Sequence, residues 1–310
     1  MKTNTETPYG YLMASFTGEH DADSEQVYFS ISRDGLHFSP LNQQKPVLKS
    51  HVGTRGVRDP FLFRTQGGEY VLLATDLRMY DQTEPDPWRH VKVAGSNNLI
   101  VWHSKDLLTW SDEQAIKLGS NFGCVWAPEA IYDSKHQNYR VFWSSTEKTE
   151  VPAKLRIYSA TTTDFERFTE PSIYLSDPMY DTIDLDVVAD GDYYYRFWKL
   201  EEKNTVVMDR VKHLDDPSES VPSPYLKRMQ GVEGPQAYQL PDGQWMLLLD
   251  QINKQHIRAY VPAITKTASL AGGEFIELAA NDYRLPPKPR HGSVMPLTQR
   301  TYIQVINRWA

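Results

Sequence analysis

The chain has 310 residues, 40% of them hydrophobic and 24% charged, with 18 Tyr, 11 Phe and 8 Trp, enough apolar and aromatic mass for a packed core. A formal charge of -7 and the lack of any long basic run argue against a nucleic-acid partner. A lone cysteine, Cys124, excludes an internal disulfide framework, and no stretch reaches the roughly 20 apolar residues of a membrane span. The opening "MKTNTETPYGYLM" has no apolar core of signal-peptide length, so a cytoplasmic protein is the expectation.

Strand signals dominate from the start. "YGYLMASFTGE", from Tyr9, and "QVYFSISRDGLHF", from Gln26, are short apolar and aromatic runs bounded by turn residues. "RDPFLFRTQGGEYVLLATD" follows from Arg58 and reads as a hairpin. The segment from Met79 to Asn98 then interrupts the pattern with Trp88, Arg89 and His90, and its length fits either a lid or a surface loop. "NLIVWHSKDLLTW" supplies a third strand.

The same hairpin recurs as "WAPEAIYDSKHQNYRVFWSS" from Trp126, "TIDLDVVADGDYYYRFWKL" from Thr182 and "EGPQAYQLPDGQWMLLLDQ" from Glu233. The copies lie about 50 to 70 residues apart, enough for one four-stranded sheet each, as in a propeller blade. The N-terminal runs match second and third strands that lack a first one, and "RHGSVMPLT" from Arg290 provides it. The prediction is an all-β, five-bladed propeller over residues 1–310. The expectation is that both termini close the fifth blade and that no separate carbohydrate-binding domain accompanies it. Closure through both termini removes sheet edges. "TQRTYIQVINRW" reads as a short C-terminal helix capped by Thr298.

In such a ring the residues opening each first strand collect at one mouth of the channel. Asp59, Asp184, Glu233 and His291 come from four blades, and the three acids are read as equivalent positions of the repeat, each set by a stiff turn. Carboxyl groups facing one cavity cannot all keep ordinary pKa values. A split into acid and carboxylate is what glycoside hydrolysis requires. Cys124 has no His or Asn partner pattern and reads as a small buried apolar residue.

With "RDPFLF", "WAPEAIYD", "TIDLDVV", "EGPQAY" and "RHGSV" in this order, the chain resembles glycoside hydrolase family 43 from about Tyr9 to Thr298. The resemblance implies Asp59 as the general base, Glu233 as the general acid and Asp184 as the residue that orients the acid and tunes its pKa. It also implies an inverting mechanism, with the carboxyls about 6.5–9.5 Å apart. His291 resembles an axial histidine that touches a channel ion or water, so a structural calcium or sodium ion is possible, and no other cofactor is required. Asp186, two residues beyond Asp184, leaves open which is the third carboxylate.

The expected substrate contacts are Arg58, Trp126, Glu129, His291 and Phe16. Trp126 fits a sugar-stacking wall or a core residue equally well. Glu129 fits a sugar contact or a partner for Arg58. Glu19, in "SFTGEH", fits a flank of the pocket or a solvated loop. The activity the resemblance implies is release of terminal α-L-arabinofuranose from oligosaccharides. The alternatives are a β-D-xylosidase and a non-catalytic sugar-binding propeller. An oligosaccharide is the expected partner, with no nucleic acid and no membrane.

Overall fold

A computed structural model describes residues 7–252 and 258–310. Three strands, β1 (Gly10–Phe16), β2 (Tyr28–Ser32) and β3 (Phe38–Pro40), precede the first complete blade. Blade one is β4 (Val57–Arg64), β5 (Tyr70–Asp76), β6 (Asn98–Ser104) and β7 (Gln114–Lys117), with helix α1 (Pro87–Ala94) inserted between β5 and β6. Blade two is β8 (Trp126–Asp133), β9 (Asn138–Ser145), β10 (Arg156–Thr162) and β11 (Ser172–Leu175). Blade three is β12 (Thr182–Asp190), β13 (Tyr193–Leu200), β14 (Thr205–Val211) and β15 (Glu219–Ser220), followed by a short helix, α2 (Pro224–Arg228). Blade four is β16 (Val232–Gln239), β17 (Trp245–Ile252), β18 (Arg258–Thr265) and β19 (Phe275–Glu277). The chain ends with β20 (Arg290–Leu297) and helix α3 (Gln299–Trp309).

The fifth sheet runs β20-β1-β2-β3, so the two ends of the chain do close one blade. Leu12 faces Met295 and Met13 faces Val294 across that seam. The innermost strands β4, β8, β12, β16 and β20 touch in sequence around the axis, and β20 returns to β4. Among the described residues, no helix is long and apolar enough to cross a membrane.

Five apolar clusters fill the wedges between successive blades. Leu72 and Ala74 of β5 face blade five, whereas Val71 and Leu73 face blade two. Leu247 and Leu249 of β17 face blade three, whereas Met246 and Leu248 face blade five. Strands covered on both faces have no reason to alternate with polar residues, which is why "YVLLATD" and "WMLLLDQ" read as continuous apolar runs. Helix α3 inserts Tyr302 and Val305 into the wedge between blades five and one. Thr298 caps it, accepting the Thr301 N–H at 3.3 Å. A Cβ at Gly10 would lie 2.3 Å from the Tyr302 ring, so glycine is what lets the helix approach β1.

The expected turns ahead of the first strands are bulges inside them. Pairing slips between Arg58 and Phe61, Trp126 and Glu129, Ile183 and Asp186, and Glu233 and Gln236. The second residue of each bulge is left-handed: Asp59 at φ 50°, Ala127 at 48°, Asp184 at 55° and Gly234 at 51°. A bulge inserts one unpaired residue and re-aims the side chains around it. The register shows that Asp59 and Asp184 are equivalent but Glu233 is not. Glu233 precedes the left-handed residue and matches Arg58, Trp126 and Ile183.

Freed backbone N–H groups at the bulges are caught by the preceding blade. Thr75 Oγ1 accepts from Ala127 N at 2.8 Å, and Ser144 Oγ accepts from Asp184 N at 3.1 Å. One layer deeper, Glu129 accepts from Val187 N at 2.7 Å, Asp186 from Ala237 N at 2.8 Å, and Ser293 from Leu62 N at 2.7 Å. Ser293 also donates to the Pro60 carbonyl at 2.9 Å. Burial pushes the Asp186 carboxyl up to about 7. Burial and the neighbouring Asp186 push Glu129 well above the usual carboxylate range.

Two stability measurements follow. Ser293→Ala leaves Leu62 N–H unpaired in a buried seam, so the urea midpoint should fall by the equivalent of about 1–3 kcal/mol with an unchanged m-value. A carboxyl with a raised folded pKa favours folding in its neutral form. That contribution is complete below the unfolded pKa and is lost as pH rises through the folded one. Relative to Glu129→Gln/Asp186→Asn, the native sequence should therefore lose on the order of 2–4 kcal/mol between about pH 4 and pH 8. A difference that stays constant over that range contradicts the burial account.

Candidate active site

The bulges place three acids from three blades around one mouth. Asp59 accepts a 2.8 Å hydrogen bond from the Thr75 hydroxyl on Oδ2. Its Oδ1 lies 3.5 Å from Nδ1 of His291. His291 in turn lies over Gly234, where a Cβ would come within 2.6 Å of the imidazole Cγ. Gly234 is thus required twice, for its positive φ and for the space under His291. Asp184 accepts the Gly234 N–H at 3.0 Å, fixing the peptide that follows Glu233.

Burial differs among the three acids. The Asp59 and Glu233 side chains retain 15% and 18% of their exposure, whereas Asp184 is buried. Burial is the main cause that lifts Asp184 to about 6, with Glu233 and Asp59 adding to the rise and His291 and Lys199 opposing it. Asp186 is separated from this group. The bulge at Ile183–Asp186 breaks the two-residue alternation, and Asp186 drops into the deeper layer beside Glu129. The acid that neighbours Glu233 and Asp59 is Asp184.

Among the described residues, Lys199 and Arg290 flank Glu233 with positive charge. Lys199 Nζ is 3.0 Å from its Oε2, and Arg290 Nη2 is 3.3 Å from its Oε1. Arg290 is held by Asp250 at 2.5 Å. Arg58 pairs with the buried Glu25 at 2.8 Å and with Glu19 at 3.2 Å, which places Glu19 at the pocket flank. Glu25 also accepts from Met79 N and Tyr80 N at the start of the inserted segment.

Two expected substrate contacts lie elsewhere. Glu129 is buried in the deeper layer, tied to Val187 N and Asp186, and does not pair with Arg58. Phe16 is fully buried and serves as a floor on which Arg58 and Arg290 stack, at 4.5 and 5.1 Å from its centroid. Trp126 is half-buried and meets Trp88 edge-on at 6.5 Å. The Met79–Asn98 segment is a docked helix. Asp86 caps α1, Val91 buries against Leu77 and Met79, and Lys92 pairs with Asp181 of the blade-three approach at 2.5 Å. Cys124 is fully buried, and burial pushes its thiol up to about 12, so it is an inert core residue.

Sequence reasoning passed over Thr75, Lys199, Asp250, Glu25 and Arg290. Thr75, Lys199 and Asp250 face Arg58, Ile183 and Glu233 across the hairpins, so hairpin register carries their signal. Nothing in "SEQVYF" marks Glu25. Around His291 the acids are Asp59, 3.5 Å from its imidazole, and Asp184 and Asp186, both of which feel its charge; a hard cation there would take the rest of its oxygens from backbone carbonyls and water. Among the described residues, the acid and histidine group with closely spaced ligand atoms is Asp133, His136 and Asp215, away from the channel.

The family model described as a probable glycosyl hydrolase domain, related to family 43, matches residues 7–302. An α-L-arabinofuranosidase of Bifidobacterium longum subsp. longum is 31% identical over 222 residues, 65% of this chain and 20% of that protein. The chain thus spans about a fifth of that relative's length. The α-L-arabinanase of Cellvibrio cellulosa, solved with arabinohexaose, shares the fold at a TM-score of 0.59 and 12% identity, over 92% of this chain and 96% of that one. A family-43 protein of Bacillus licheniformis does so at 0.57 and 15% identity, over 95% and 56%. By its motifs, its ring of five sheets and this match, the chain belongs to the family-43-related glycosyl hydrolases.

Proposed function

We propose that the chain is an inverting glycoside hydrolase that releases terminal α-L-arabinofuranose from oligosaccharides. The observation that carries this reading is the meeting of Asp59, Asp184 and Glu233 from three blades at one mouth, two of them part-exposed and one buried. The named activity of the Bifidobacterium relative supports the choice of sugar.

In this reading Asp59 takes a proton from water as the water attacks the anomeric carbon. Thr75 occupies Oδ2 of Asp59 and leaves Oδ1, beside His291, for the water. Glu233 gives its proton to the departing glycosidic oxygen as the C–O bond breaks. Asp184 works through Gly234, whose N–H it holds, and through its negative charge when ionised. The half-exposed Trp88 and the Trp126 beside it offer apolar faces to the sugar's C–H groups.

The test is turnover of para-nitrophenyl α-L-arabinofuranoside against the β-D-xylopyranoside, with arabinofuranoside the faster substrate. Asp59→Ala and Glu233→Ala should each lose about 10²–10⁴-fold in kcat/KM while melting near the native temperature. A near-native rate in either variant rejects its assigned role. A faster xylopyranoside makes the enzyme a xylosidase, and sugar binding without turnover makes it a binding propeller. The first-formed sugar, followed by NMR, should be the β-anomer, and a first-formed α-anomer rejects inversion.

A further inference from the structure

Three of the five blades repeat one backbone device; blade five places Phe16, which carries no acceptor, at the corresponding position, and blade three places a cation there. In blades one, two and four, the second-strand residue facing the bulge carries an acceptor for the N–H of the next blade's bulge. Thr75 accepts from Ala127, Ser144 from Asp184, and Asp250 from His291 at 3.5 Å. The corresponding residue of blade three is Lys199, paired with Ile183. An ammonium has no acceptor, so the Gly234 N–H is taken by the carboxylate of Asp184 instead. The substitution places a buried cation against Glu233. The departure in blade three lies directly against Glu233, where a local rule gives way beside a candidate site.

Lys199 is 3% exposed, and its ammonium stands between two carboxylates, 3.0 Å from Glu233 and 2.5 Å from Glu201. We propose that Lys199 is a positioning residue for Glu233, holding its carboxylate and setting how readily it gives up a proton. The inference rests on the reading of Glu233 as general acid. When the proton passes to the glycosidic oxygen and the C–O electron pair moves onto that oxygen, Glu233 is left as a carboxylate. Lys199 stabilises that product state without exchanging a proton itself.

The other charged groups around Glu233 act in both directions. Arg290 of β20 adds a second cation, and Asp184 of β12, Asp59 of β4 and Asp250 of β17 supply negative charge. Burial alone would lower the Lys199 pKa, but Glu233, Glu201 and Asp184 outweigh it and raise it, so the ammonium stays charged. Glu201, whose side chain is 40% exposed, draws part of that ammonium's charge away from Glu233.

The experiment is the pH profile of kcat/KM on an arabino-oligosaccharide. Lys199→Met should move the basic limb up by about 1–2 pH units, because the proton on Glu233 is held more tightly. Its kcat should fall about 10-fold or more on the oligosaccharide, whose leaving group needs the proton, and less on the para-nitrophenyl glycoside. Lys199→Arg should keep the native limb. Glu201→Gln, a near-isosteric change at a part-exposed side chain, should move the limb down. If Lys199→Met folds and keeps the native limb, or if Glu201→Gln moves it up, the proposal is wrong. If Lys199→Met does not fold, the direction of the Glu201→Gln shift decides. A native protein with no glycosidase activity overturns the functional reading itself, a separate outcome.

Discussion

The molecule depends on a single extra residue inserted into each innermost strand. In blades one to four that residue turns the backbone left-handed, and in blades two to five the preceding blade catches the N–H freed at the bulge. The same insertion that locks blade to blade also lifts the neighbouring side chains out of the strand's alternation and into the mouth. Stability and site geometry therefore share one cause. Asp59 and Asp184 occupy the inserted position, where Asp is among the few side chains that tolerate left-handed backbone. In blade four that position is Gly234, and the acid sits one residue earlier. Glu233 thus approaches the centre from a different register than the two aspartates, which gives the three carboxyls different surroundings.

Charge then separates their roles. Burial lifts Asp184, whereas Glu233 sits between Lys199 and Arg290. Asp59 keeps one oxygen on Thr75 and the other beside His291. Beneath them the Glu129–Asp186 pair and Ser293 stitch backbones together and keep that second acidic layer away from the pocket. Phe16 does the same service for the arginines, its buried ring a flat support that holds two guanidinium groups near the mouth.

Much of this architecture could be read from the residues in order. Paired apolar runs at a blade-sized spacing gave five blades, and the stray "RHGSVMPLT" beside two orphan N-terminal strands gave the closure. Local chemistry was less legible. "RDP" and "EGP" look like turns because proline and glycine usually punctuate, and only strand pairing shows that they lie within strands. Glu129 stands next to motif residues in sequence but points away from the mouth, because the bulge shifts which face it takes, and Phe16 is covered by the two arginines that stack on it. Asp184 and Asp186 could not be told apart by a two-residue rule that the bulge suspends. Lys199 and Glu25 act through partners more than 30 residues away, and no local pattern announces such pairings.

The central claim is that the ring brings Asp59 and Glu233 to bear on one glycosidic bond. The most direct measurement is a crystal structure of Glu233→Gln soaked with an arabinofuranosyl oligosaccharide. The account predicts the glycosidic oxygen within hydrogen-bond reach of Gln at position 233 and a water between Asp59 and the anomeric carbon. Sugar bound only elsewhere, such as in the groove between blades two and three lined by Tyr174 and Trp198, would contradict it.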